Sequence, residues 1–335
     1  MTRRVGVVGT GGTISCIGAD PYDTVEYADR ASVMDVTELI AKLPAPTTGI
    51  TAVPVPFRAI KSNAMTPEVW LELRRTIRDT LASDTDMAGV VLTHGTASLE
   101  ETAYFLHLTM DMPQPIVLVG AQRPSTAYGS DAQTNYLAAL KTAASDEARG
   151  FGTLVVLNDQ INSAREVTKT SNMRLETFRT PEFGVLGHAD GDGVVSFYRA
   201  PTRRHTTNSA FSSLDVLNTA TTLPKVDVVL TYVGADGTMI DAAVAAGAKG
   251  IVIVGFPPAL NTPEQDAAID RATSQGVVVV QSSRGEGRIA KRTSFPERGI
   301  VSGDNLSPQA ARLLLSLSLL VTNERDGVQE LFDTH

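Results

Sequence analysis

Two threonines sit where a chain can present a reactive hydroxyl. Thr13 ends the stretch Val5-Gly6-Val7-Val8-Gly9-Thr10-Gly11-Gly12-Thr13, and Thr96 ends Thr93-His94-Gly95-Thr96. Each follows a short apolar run of the kind that forms a buried parallel strand, so each hydroxyl falls just past a strand's carboxyl end. In a parallel sheet that is where ligands bind, and two adjacent strand ends can converge on one site. A threonine hydroxyl is a weak nucleophile and needs a base or a strong local field. Two side chains are candidates for that task. Lys169 would lose its proton near neutral pH if desolvated. Tyr27 lies in a polar, irregular stretch, residues 15–30, long enough to act as a lid, and could relay a proton once that loop closes. Backbone N–H groups at the turns containing Gly12 and Gly95 are suited to hold a developing oxyanion.

Rival chemistries fit less well. A dinucleotide loop wants a third glycine at position 14, where Ile14 stands, and a phosphate loop wants a Gly-Lys-Ser/Thr that is absent. The five histidines, His94, His107, His188, His205 and His335, show no metal spacing, and Cys16 is the only cysteine, so neither a metal nor a cofactor is expected. Cys16 reads as a small packed residue rather than a reactive thiol. No serine occupies a Gly-x-Ser-x-Gly elbow. Glu100 and Glu101 open a helix and read as partners of its dipole.

The elements that must position these groups alternate. Strands are expected near residues 50–55, 88–93, 115–120 and 153–157. Helices are expected near residues 34–43, ended by Pro44, and then after Thr66-Pro67, over 99–109 with Ser98 and Glu101 as a capping box, and over 130–145. Val69, Leu73, Ile77 and Leu81 recur every fourth residue as a buried stripe. Residues 158–193 look less regular. A second alternation runs from Val226 to the helix opened by Ser307-Pro308. The expected fold is α/β: a larger N-terminal parallel or mixed-sheet domain over residues 1–200, a Thr/Ser/Arg/Asn-rich linker over 201–223, and a smaller α/β domain over 224–335.

The chain has 335 residues, 42% of them hydrophobic and 20% charged, with a net charge of -8. This balance suits a globular protein with a small-molecule ligand and argues against a nucleic-acid partner. No signal-type segment or membrane-length apolar run is apparent, so a cytoplasmic protein with no membrane partner is expected.

With these residues in place, the chain resembles the bacterial-type L-asparaginase (asparaginase/glutaminase) family. Thr10-Gly11-Gly12-Thr13-Ile14 is similar to its first signature, and Thr93-His94-Gly95-Thr96 continuing through Leu99-Glu100-Glu101-Thr102-Ala103-Tyr104 is similar to its second. Gly120-Ala121-Gln122-Arg123-Pro124-Ser125, Val167-Thr168-Lys169-Thr170 and Ser282-Ser283-Arg284 also match. The resemblance implies that Thr13 is the nucleophile forming an acyl-enzyme, with Tyr27, or Tyr22 by spacing, beside it. It implies that Thr96 and Lys169 activate a nucleophile or water. It also implies that Ser62 binds a substrate carboxylate, Asn63 adds a polar contact and Ala121 a backbone contact, and that the protein is a cofactor-free homo-oligomer, a tetramer built from close dimers.

One departure bears on the substrate. Ala97 stands where the family pattern has an aspartate that pairs the substrate's α-ammonium. An ammonium brought into a partly buried site without a carboxylate suffers an uncompensated desolvation penalty. Ala64 likewise stands where members commonly have Asp or Asn, and the family's acidic contact from a neighbouring subunit finds no clear match around residues 292–298. The expected activity is hydrolysis of a small amide lacking the α-amino group (a succinamate-like amide, a lactam, an ester or a lactone), unless Glu100, Glu101 or Asp131 replaces the missing carboxylate. The alternatives are true L-asparaginase activity and, outside catalysis, a small-amide binding protein or amidotransferase subunit.

Overall fold

The computed structural model describes residues 2–30, 32–43 and 49–335. The chain divides into two compact units, Met1–Ser213 and Leu214–His335. Residues 201–213 of the stretch expected as a linker thus belong to the first unit.

The first unit begins with β1 (Arg3–Gly9), a short β2 (Cys16–Ile17), a helical turn α1 (Tyr27–Arg30) and β3 (Ser32–Val33). Then come α2 (Val36–Lys42), β4 (Ile50–Val55), α3 (Pro67–Ser83), β5 (Met87–Thr93), α4 (Leu99–Thr109), β6 (Ile116–Val119), α5 (Ala132–Ala144) and β7 (Thr153–Leu157). Pro44, expected to end α2, lies outside the described residues. Strands β8 (Gln160–Ser163), β9 (Thr168–Lys169), β10 (Phe178–Arg179), β11 (Gly187–Ala189) and β12 (Val195–Phe197) follow.

Among the described residues the main sheet has eight strands in the order β12-β11-β8-β7-β6-β5-β1-β4. The block from β7 to β4 is parallel, and β8, β11 and β12 extend it antiparallel. The extension corrects the irregular reading of residues 158–193. Its cause is the two-residue turn Asn158-Asp159, both at positive φ (54° and 59°), the conformation of a tight hairpin. One face of the sheet packs Val5, Val7, Val91 and Val117 against Tyr136, Ala139 and Leu140 of α5. On α3 the stripe Val69, Leu73, Ile77 and Leu81 is buried.

Helix starts separate by chemistry. Thr66 caps α3 by accepting from Val69 N, with Pro67 in the first turn, as expected. The capping box expected from Ser98 does not form. The Ser98 hydroxyl instead donates to the carbonyl of Ser62 at 2.6 Å, a tertiary bond that outcompetes the local one.

The second unit holds β13 (Val226–Leu230), β14 (Gly250–Gly255), β15 (Val278–Ser283) and β16 (Ile300–Ser302), all parallel and in that order. Its longer helices begin at Thr238, Pro263, Pro308 and Arg325, and Thr262 and Ser307 cap the two that open on proline. No helix among the described residues is long and apolar enough to cross a membrane.

Candidate active site

The site is built where the turns after β1 and β5 touch. Gly12 has φ 85°, and a Cβ there would lie 2.4 Å from both the Cα and the N of Gly95. A Cβ on Gly95 would in turn lie 2.4 Å from Ser62 Oγ. The two strand-end turns and the 3-10 turn Ser62–Ala64 therefore approach at distances only glycine allows. Thr10 ties the same turns together, its N and Oγ1 both donating to Thr93 O at 3.1 and 2.8 Å. Gly12 is the residue before the 3-10 turn Thr13–Ser15 and so fixes where Thr13 emerges.

His94 supports this contact from behind. It is fully buried, with Nδ1 2.7 Å from the Gly95 carbonyl and Nε2 3.0 Å from Thr102 Oγ1, which accepts from Trp70 Nε1 at 2.8 Å. The carbonyl can only accept and the indole can only donate, so the proton sits on Nδ1 and Thr102 donates to Nε2. Burial lowers the His94 pKa to about 4, which keeps the ring neutral.

Thr13 Oγ1 lies 2.9 Å from Tyr27 Oη. The Tyr27 helical turn is gathered by Asp23, whose Oδ1 accepts from the backbone N–H groups of Val25, Glu26 and Tyr27. Tyr22, the other candidate by spacing, is 81% exposed. Burial pushes the Tyr27 phenol pKa up, against the opposing effect of its bond to Thr13, so it holds its proton at neutral pH.

Thr96 forms a second hydroxyl centre. Lys169 Nζ donates to Thr96 Oγ1 at 2.7 Å, and Thr96 Oγ1 donates to Gln122 Oε1 at 3.1 Å. The Gln122 amide is oriented by its other end, where Nε2 donates to the carbonyl of Arg174 at 3.2 Å. Burial pushes the Lys169 ammonium pKa down, while the nearby Glu100 carboxylate pushes it back up. Glu100 also accepts from Lys169 N at 2.5 Å, a tie between α4 and β9 that its place in the first turn of a helix does not announce.

Tyr27, Thr96, Gln122 and Lys169 line one cavity of about 290 Å³, together with Thr24, Arg123, Asn172 and Met173. Thr13 does not line it but is hydrogen-bonded to Tyr27, which does. Of the other expected site residues, Ala97 N donates to Ser62 Oγ at 3.3 Å, Ala121 is fully buried, and Asn63 is exposed on its 3-10 turn. None of these three, nor Ser62, lines the cavity. Asp131 is committed elsewhere: its carboxylate accepts from the backbone N–H groups of Gln122 and Arg123 and from Asn135 Nδ2, which holds the loop after β6 in shape.

Gln122 and Arg123 were within reach of the sequence, since they follow a strand's carboxyl end. Asn172 and Met173 carry no signal, because they are brought in by the path from β9 to β10. Among the described residues no acidic residue lines the cavity, and its cationic side chains are Arg123 and Lys169. Among the described residues no group of three or more His, Cys, Asp or Glu side chains stands close enough to hold a metal ion.

Comparison with known proteins agrees with this architecture. Residues 4–203 match the family model "Asparaginase, N-terminal", and residues 225–332 match "Glutaminase/Asparaginase C-terminal domain". The chain is 38% identical over 333 residues to L-asparaginase 2 of Bacillus subtilis, covering 99% of this chain and 86% of that protein. It is 33% identical over 333 residues to a glutaminase-asparaginase of Pseudomonas fluorescens, covering 98% and 90%. A crystal structure of a probable cytoplasmic L-asparaginase from Campylobacter jejuni superposes with a TM-score of 0.91 at 36% identity, over the whole of both chains. With both halves matched and the two-unit α/β architecture shared, this chain belongs to the asparaginase family, amidohydrolases that act on carbon–nitrogen bonds.

Proposed function

We propose that Thr13 attacks the carbonyl carbon of a small carboxamide and that the substrate carries a carboxylate but no α-ammonium, as succinamate does. The observation that carries the reading is the charge of the cavity. Among the described residues Arg123 and Lys169 line it and no acidic side chain does, and Ala97 supplies no carboxylate where the family pattern has an aspartate. The Arg123 charge, which stays when Lys169 is neutral, attracts an anion, and an ammonium would meet no lining carboxylate.

In the acylation half, the Thr13 Oγ–H bond and the amide C–N bond break, and an ester between Thr13 and the acyl group forms. The departing nitrogen takes up a proton and leaves as ammonia. Tyr27, 2.9 Å from Thr13, is placed to pass the hydroxyl's proton onward. The glycine turns at Gly12 and Gly95 offer backbone N–H groups for the tetrahedral oxyanion. In the second half, water cleaves the ester, restoring the Thr13 hydroxyl and releasing the carboxylate. The Thr96–Lys169 pair is positioned to orient and deprotonate that water, with Lys169 predisposed by its lowered pKa.

A second reading, hydrolysis of L-asparagine, is favoured by the relatives, which are named L-asparaginase or glutaminase-asparaginase. Ammonia release from succinamate, L-asparagine, L-glutamine and a panel of lactams separates the two. Succinamate should give the highest kcat/KM. L-asparagine turnover well above it would replace the first reading with the second. Thr13→Ala should remove turnover of every substrate while leaving the thermal unfolding midpoint close to that of the parent, and retained activity would place the nucleophile elsewhere.

A further inference from the structure

The loop that carries Tyr27 is polar and largely exposed, yet it is tied at four places to the loop that follows β6. Ser125 Oγ donates to the carbonyl of Cys16 at 3.3 Å, and Gly18 N donates to Thr126 Oγ1 at 2.9 Å. Tyr128 N donates to the carbonyl of Pro21 at 2.9 Å. The rings of Tyr22 and Tyr128 meet edge to face, with centroids 5.3 Å apart and planes at 67°. Both rings are otherwise open to solvent, 81% and 66% exposed, so their pairing serves no core.

The two sides of this contact differ in support. The loop after β6 is braced by Asp131, which holds the N–H groups of Gln122 and Arg123, and by Arg123, whose Nη1 donates to Gly129 O at 2.8 Å. Beyond the contact, the chain from Pro21 reaches Asp23, which gathers the turn that places Tyr27 on Thr13. The order of support therefore runs from α5 through the loop after β6 to Tyr27. A polar loop with few buried apolar contacts has low local stability, so a few bonds decide how much of the time it is closed.

We propose that Thr126 and Tyr128 are positioning residues that latch the Gly18–Tyr22 segment and so hold the Tyr27 hydroxyl on Thr13. This rests on the reading of Thr13 and Tyr27 given above. Thr126 acts through the hydroxyl that accepts from Gly18. Tyr128 acts through its ring against Tyr22, an edge-to-face pair of the kind aromatic rings favour.

The test uses the full chain and two readouts. One is ammonia release from whichever of succinamate and L-asparagine the parent turns over faster. The other is the rate of chymotrypsin cleavage after Tyr22, followed by mass spectrometry. Thr126→Val keeps the shape and removes the acceptor, so kcat should fall about five- to tenfold and cleavage should rise by a similar factor. Adding Tyr128→Ala should enlarge both effects. Thr126→Ser keeps the hydroxyl and should restore both to near the parental values, with the thermal midpoint unchanged throughout. Parental kcat and cleavage in the double variant would overturn the latch, as would a serine variant as impaired as the valine one. Tyr27→Phe separates the premise: if it leaves turnover unchanged, the catalytic reading of Tyr27 fails, while the cleavage rates still decide whether the latch exists.

Discussion

At the scale of single residues, the hydrogen-bond directions around Thr96 follow from what each partner can do. The Arg174 carbonyl can only accept, so it takes the Gln122 amide N–H and leaves Gln122 Oε1 for Thr96. The Thr96 proton then points to Gln122, and its lone pair receives Lys169. For Lys169 to serve as a base it must be neutral, so activity should rise with pH through its pKa. Burial already lowers that pKa and Glu100 partly reverses the effect. Glu100→Gln keeps an oxygen for the Lys169 backbone N–H but removes the charge, so the pKa should fall further. The acidic limb of kcat/KM against pH should then move to lower pH by up to about one unit. A limb that stays where it was would mean that Lys169 is not the group titrating there.

At the scale of elements, the site depends on two turns meeting without side chains between them. Gly12→Ala would place a Cβ 2.4 Å from backbone atoms of Gly95, at a φ of 85° that alanine also resists. Neither turn can yield easily, because β1 and β5 are paired in register up to Gly9 and Thr93. The expected cost is about 2 kcal/mol or more in denaturant unfolding, with turnover lost alongside. Gly276→Ala is the matched control. Its φ is 80° but nothing lies within 4 Å of the added Cβ, so it should lose about 1 kcal/mol, with turnover kept. Equal losses from the two substitutions would show that the turn conformation, and not the contact with Gly95, sets the requirement.

At the scale of the whole chain, the net charge of -8 contrasts with a cavity lined by Arg123 and Lys169. The adjacent parallel strands β1, β5 and β6 deliver their carboxyl ends side by side, and the turns after them supply Thr13, Thr96 and Gln122. Lys169 comes from the short strand β9, beyond β8 in the chain. The field of Arg123, which stays when Lys169 is neutral, should favour anions despite the overall charge, and added salt should screen it. Raising ionic strength from about 50 to about 500 mM should weaken inhibition by succinate roughly threefold and leave inhibition by neutral succinamide nearly unchanged. Equal salt sensitivity of the two inhibitors would remove the charge argument for an anionic substrate.

The sequence alone determined the features that depend on neighbours a few residues apart. Apolar runs ended by glycine located β1 and β5, and the pairing of Thr66 and Ser307 with a following proline located helix starts, because caps and strand periodicity act within a turn or two. Thr13 and Thr96 were legible for the same reason. The tertiary structure decided the partners. The Thr96–Lys169 bond spans 73 residues and the Thr96–Gln122 bond 26, and the Tyr27–Thr13 bond depends on the path of a polar loop. Ser98 shows the boundary between the two regimes. Its local capping pattern was complete, yet its hydroxyl turned to the carbonyl of Ser62, 36 residues away, because the packing of Gly12, Gly95 and Ser62 brought that acceptor within 2.6 Å. Local chemistry proposes partners within a turn, and only the folded chain brings in those that compete with them.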